Sequence, residues 1–161
     1  MTQKHTLDWN VVHANIGRLR APLDDPSMAG FADQMERINQ LGWKEPGFVQ
    51  HIMAASGSPR FYVFDDPSIV MNLTVWKSVE ALHAFTYLGE HAEFYRRRRE
   101  WFEPMDGPTL ALWWIPTGYE PTPEEAIQRL ALLADRGPTP LAFTFAARFS
   151  VKEMLSNRAP A

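Results

Sequence analysis

Ile69 to Trp76 reads Ile-Val-Met-Asn-Leu-Thr-Val-Trp, and this stretch decides the fold. Its β-branched and aromatic residues favour a strand. Strand alternation sets Asn72, Thr74 and Trp76 on one face and Met71, Leu73 and Val75 on the other. Both faces are substantially apolar, so both need a cover.

Upstream, Trp9 to Ile16 (WNVVHANI) reads as a strand bounded by Gly17, with His13 and Asn15 on one face and Val12, Ala14 and Ile16 on the other. A loop marked by Pro22 and Asp24-Asp25-Pro26 follows. Ser27 then offers a cap to a helix whose Met28, Phe31, Ala32, Met35 and Ile38 recur at helical spacing. That helix ends near Gly42. Pro46-Gly47 turns into a strand over Phe48 to Ala54. Ala55 to Ser68 reads as a hairpin connection enlarged by an insertion, with a short strand over Phe61 to Phe64.

Downstream, Ser78 caps a helix with Val79, Leu82 and Phe85 as buried spots, and Gly89 interrupts it. A second helical piece runs from about Glu90 to Phe102. Thr109 to Ile115 (TLALWWI) is a strand stopped by Pro116. Thr122-Pro123-Glu124-Glu125 is a helix start with a capping box. Ala126, Ile127, Leu130 and Leu133 line this helix, and Gly137-Pro138 ends it. Leu141, Phe143, Phe145 and Phe149 form an extended arm on an apolar surface, fraying from about Ser156.

The order is a βαββαβ plan with an added helix and arm, so the expected class is α+β, ferredoxin-like, in one domain over 1–161 with a core at about 7–150. Helices cover one face of such a sheet. The other is expected to meet the same face of a second copy in a homodimer, or to be covered by the chain's own C-terminal arm.

Composition narrows the function. The 161 residues carry 16 Lys and Arg against 19 Asp and Glu, a net charge of −3, which argues against nucleic-acid binding. Cysteine is absent, which excludes disulfides, thiolate metal sites and cysteine nucleophiles. Met1 to Asp8 has no signal core, and no apolar stretch approaches a membrane span, so a cytoplasmic location is expected. No HExxH pair, phosphate-binding glycine loop or nucleophile elbow is present, and no metal site is expected.

Polar residues fall where apolar ones are expected. With the first and third strands adjacent, Asn15 and Asn72 lie side by side, either bonded to each other or turned to a ligand. Trp76 is core packing or one wall of a pocket, its indole N–H a donor. On the helix from His91 to Phe102, the residues His91, Phe94, Tyr95, Arg98, Trp101 and Phe102 share one stripe, whereas Arg96, Arg97 and Arg99 fall elsewhere. Arg98 among aromatics needs a partner or a ring to stack on.

Glu45-Pro46-Gly47-Phe48-Val49 resembles the PGF turn of the antibiotic biosynthesis monooxygenase superfamily, and Val75 to Leu82 followed by His91 resembles its "strand, Trp, helix, His" block. Asn15 to Arg20, Arg96 to Phe102 and Leu112 to Pro116 resemble a bacterial domain-of-unknown-function family of the same dimeric α+β barrel group. The resemblance covers about residues 7 to 150. It implies a dimeric α+β barrel and a cofactor-free oxygenase acting on anthrones or quinols with O₂, without metal or flavin. It also implies a site between sheet and helices, built from Asn15, Asn72, Trp76 and a later arginine, for which the stripe selects Arg98. In the chemistry it implies, the amides of Asn15 and Asn72 stabilise an oxyanion and Arg98 lowers the substrate pKa. His91 takes the proton, and Trp76 and Trp113 sandwich the ring. His13, Thr74, Tyr95 and Trp113 are the candidate substrate-binding residues, and the partner is a small aromatic molecule. Two alternatives stand beside this: a non-catalytic ligand-binding or dimerisation module, and a haem protein with His91 or His13 as axial ligand.

Overall fold

The computed structural model describes residues 8–157. Strand β1 (Trp9–Leu19) is the spine of a six-stranded antiparallel sheet. One of its edges pairs along β4 (Ile69–Trp76). The other pairs with β6 (Leu110–Pro116) and then β5 (Phe102–Glu103). Strands β2 (Phe48–His51) and β3 (Phe61–Tyr62) share the outer edge of β4. Helix α1 (Ala29–Trp43) lies between β1 and β2, and α2 (Val79–Leu88) and α3 (Glu90–Arg96) follow β4. Helices α4 (Pro123–Arg136) and α5 (Val151–Asn157) come last. With the short β3 and β5 set aside, the order β6-β1-β4-β2 is the ferredoxin-like arrangement of an α+β fold.

Strand β1 runs through Gly17 instead of ending there. A Cβ at Gly17 would lie 2.5 Å from Cδ1 of Phe102, so the glycine serves the close approach of a ring. Asp25, not Ser27, makes the cap before α1: its Oδ1 accepts the Ser27 N–H at 2.9 Å and closes the 3-10 turn Pro26–Met28. The expected Glu90–Phe102 helix is divided. It ends at Arg96, passes through a 3-10 turn at Arg98–Glu100 and enters β5. Pairing of Phe102 with Leu19, and the Arg20 N–H bonded to the Trp101 carbonyl at 2.9 Å, pull this end of the chain straight.

The sheet face carrying Val12, Ala14, Met71, Leu73 and Trp113 is fully buried within one chain, against Ala126, Leu130 and Leu133 of α4. Helix α4, rather than the arm alone, is what covers this face within the chain. The arm contributes at the sheet edge. Leu112 and Phe143 exchange two backbone hydrogen bonds of 2.9 Å, which sends Ala142 into the α4 side and Phe143 into the opposite side. Ser156 belongs to α5, whose Met154 is buried, and residues 158–161, also expected to fray, lie outside the described residues. Residues 1–7, which carry most of the polar N-terminal segment, lie outside the described residues. Among the described residues no helix is long and apolar enough to cross a membrane.

Candidate functional site

The second face of the sheet meets α1, α2 and α3. Its apolar residues gather at two ends. Val11, Trp76 and Leu112 pack with Val79, Leu82 and Phe143 at one, and Leu19 and Val70 with Met28, Phe31 and Trp101 at the other. Between them β1 and β4 present His13, Asn15, Asn72 and Thr74, in the register His13 to Thr74 and Asn15 to Asn72. Side chains that cannot fill space as hydrocarbon leave the two layers apart. A cavity of about 760 Å³ results, lined by these four residues and by Trp76, His91, Tyr95 and Arg98.

Asn15 and Asn72 do not bond each other through their carbonyl oxygens: each Oδ1 is buried and accepts no hydrogen bond. His13 Nε2 is buried and unpartnered as well. Burial, with His91 adding a repulsive charge, pushes the His13 pKa down to about 3, so its ring is neutral near pH 7. Trp76 donates its indole N–H to Thr74 Oγ1 at 3.0 Å. That donor is therefore committed within the sheet, and Trp76 is held as a wall, stacked on Phe85 at 5.3 Å and edge-on to Phe48 at 5.5 Å.

His91 opens α3 just after the break at Gly89, and its Nδ1 lies 3.1 Å from the Thr86 carbonyl. A carbonyl only accepts, so Nδ1 carries the hydrogen and Nε2 keeps its lone pair. Burial lowers the His91 pKa, and the Thr86 carbonyl partly opposes this. The four arginines divide, but not wholly as their spacing implies, since Arg99 reaches the cavity lining along with Arg98. Arg96 and Arg97 pair with Glu93 and Glu100 at the surface, whereas Arg98 is half-buried. Arg98 folds back over the Tyr95 ring, with Cζ 4.1 Å from its centroid, and donates from Nη1 to the Tyr95 carbonyl at 3.0 Å. Its other donors are uncommitted among the described residues.

The family model described as "Domain of unknown function (DUF3291)" matches residues 10–159. The chain belongs to the DUF3291 family. No curated protein matches it. Among solved structures it is similar to a conserved protein from Methanosarcina mazei Go1, at 12% identity and a TM-score of 0.49 over 68% of this chain and 93% of that one. A Nitrosomonas europaea protein assigned provisionally to the antibiotic biosynthesis monooxygenases aligns at 14% identity and a TM-score of 0.47, over 73% of this chain and 97% of that one. SnoaB, a cofactor-independent oxygenase from Streptomyces nogalater, aligns at 17% identity and a TM-score of 0.46, over 71% and 97%.

In this DUF3291 chain one candidate falls outside the cavity. Trp113 lies on the α4 side of the sheet, fully buried, and donates to Glu125 Oε1 at 3.1 Å. It cannot sandwich a ring with Trp76. Glu125, expected to complete a capping box, spends its carboxylate on Trp113 and Tyr119 instead, although its backbone N–H is capped by Thr122.

The cavity also holds residues that sequence reasoning missed. Tyr87 lines it and meets Tyr95 edge-on at 5.5 Å. His51 donates from Nε2 to the Pro59 carbonyl at 2.7 Å and accepts the Trp43 indole N–H at 3.1 Å. It ties the 55–68 insertion to α1, and burial lowers its pKa. Arg60, on the same insertion, also reaches the lining. Among the described residues no group of three or more His, Cys, Asp or Glu could hold a metal ion.

Proposed function

We propose that the protein is a cofactor-independent oxygenase of an electron-rich hydroxyaromatic, of the anthrone or quinol kind. One observation carries this reading: two buried, unpartnered amide oxygens, Asn15 Oδ1 and Asn72 Oδ1, share a cavity with a neutral His91 whose Nε2 is free to take a proton.

The substrate's hydroxyl groups donate to Asn15 Oδ1 and Asn72 Oδ1. Turning either amide over presents its N–H groups to an oxyanion instead. His91 Nε2 takes the proton from the ring system, and the positive charge of Arg98 stabilises the anion left behind. The electron-rich carbon then bonds to O₂ as a peroxide. His91 returns the proton, and loss of water leaves a carbonyl at that carbon. Trp76, fixed between Phe48 and Phe85, holds the ring plane. His13, Thr74 and Tyr95 complete the surface against which the substrate lies.

The test is oxygen uptake with dithranol in buffered air, comparing wild type with Asn72→Ala and Arg98→Ala. The reading expects wild type to consume oxygen above the buffer rate and both variants to lose most of that excess. If both variants match wild type, the assigned site is wrong. Binding without oxygen uptake would leave a ligand-binding module. A Soret band in purified protein would favour the haem reading through His13 or His91.

A further inference from the structure

The 55–68 insertion does more than lengthen a hairpin. Strand β3 pairs with β4 through Phe61 to Met71 and Tyr62 to Val70. Continuing that antiparallel register by one residue sets Arg60 opposite Asn72, which is itself the partner of Asn15. Residues opposite one another share a face. Phe61 packs with Met71 on the α4 side, so Arg60 turns to the other side, where it lines the cavity. Arg60, Asn72 and Asn15 thus form a row across the sheet.

Among the described residues no carboxylate pairs with Arg60. Its Nε is buried without a hydrogen-bond partner. Four arginines line the cavity against the single carboxylate of Glu103; Arg60 and Arg98 are half-buried, whereas Arg20, Arg99 and Glu103 are exposed. This excess of positive charge occurs in a chain whose net charge is −3. Burying part of a guanidinium without a partner is costly unless something else supplies the acceptor.

We propose that Arg60 anchors a carboxylate on the ligand of this cavity, which makes the substrate class acidic hydroxyaromatics. This rests on the cavity's reading as a hydroxyaromatic site and adds the substituent that selects among such molecules. The planar fork of a guanidinium matches the two oxygens of a carboxylate. The neighbouring amide oxygens of Asn72 and Asn15 then receive the hydroxyl groups of the same molecule.

Two probes with one ring system separate the charge from the rest. Rhein is a dihydroxyanthraquinone carboxylate, and danthron is the same dihydroxyanthraquinone without the carboxylate. Both are already oxidised, so binding is read without turnover. By equilibrium dialysis, wild type should bind rhein about tenfold or more tighter than danthron. That preference should shrink as potassium chloride is added. Arg60→Gln should abolish the preference and leave danthron binding within about threefold of wild type, and Arg60→Lys should restore part of it.

Equal binding of both probes by wild type overturns the proposal. So does a preference that survives in Arg60→Gln, or one insensitive to salt, a measurement that needs no variant to fold. Binding of neither probe overturns it together with the hydroxyaromatic reading. If rhein is preferred through Arg60 while wild type fails to oxidise dithranol, the anchor stands and the oxygenase chemistry falls.

Discussion

Asn15 and Asn72 are direct register partners on the two central strands, yet the side-chain oxygen of each is buried without a hydrogen bond. An unsatisfied buried carbonyl costs roughly 1–3 kcal/mol. Asparagine is also a poor strand residue. A fold selected only for stability would place valine at both positions.

Asn72→Val and Asn15→Val should therefore each stabilise the protein by about 1 kcal/mol, and raise Tm by roughly 2–4 °C for a domain of this size. Each should also lower the dithranol rate about a hundredfold. Thermal unfolding and oxygen uptake on the same samples check both halves. A lower Tm in both variants would show that the amides serve the fold.

The rate should depend on pH through His91. Only its neutral ring accepts a proton, and burial lowers its pKa from the ordinary 6.5. The dithranol kcat/KM should rise with pH through an inflection below that value and then level off. A profile that is flat from about pH 5 to 8 in wild type and unchanged in His91→Gln would remove His91 from the mechanism.

Acid should destabilise the fold through His13. Its folded pKa of about 3 lies below the ordinary 6.5, so between those values the unfolded chain binds more protons. The stability contributed by keeping this ring neutral is complete above pH 6.5 and is lost as pH falls towards 3, by about 1.4 kcal/mol per pH unit well below the upper limit. His51 and His91 are depressed by burial in the same sense and steepen the loss. Plotting Tm against pH for wild type and His13→Gln should give a shallower acid limb in the variant. Superimposable limbs would show that His13 is protonated at no unusual cost.

Trp113→Phe separates the two faces of the sheet. It deletes the hydrogen bond to Glu125 and part of a fully buried ring, at a cost of about 1–3 kcal/mol. Denaturant unfolding should record that loss, whereas the dithranol kcat/KM should stay within about twofold of wild type. A large fall in rate at unchanged stability would place Trp113 in the chemistry after all.

Much of this was legible in the sequence, for reasons tied to particular residues. Ile69–Trp76 shows its bounds and its faces because period-two alternation is local, and the adjacency of Asn15 and Asn72 follows from alternation joined to a βαββαβ order. Arg98 still lines the cavity although the long helix is lost, because the 3-10 turn Arg98–Glu100 carries it there. What failed depended on distant neighbours. In Leu-Trp-Trp-Ile nothing local says which tryptophan faces which layer. Trp114, not Trp113, lies on the side of the sheet that meets α2, with its indole bonded to the Phe149 carbonyl at 2.8 Å. His51 faces the cavity because a bulge between Phe48 and Gln50 shifts the register, and no residue type announces that bulge. The orientation of Arg60 depends on the pairing of a two-residue strand inside an insertion.

Helix α4 closes one face of the sheet and the cavity lies on the other, so β1 and β4 carry two layers of different character on their two sides. Changes that repack the α4 layer should therefore tune the stability of the domain with little effect on which molecules the opposite layer admits.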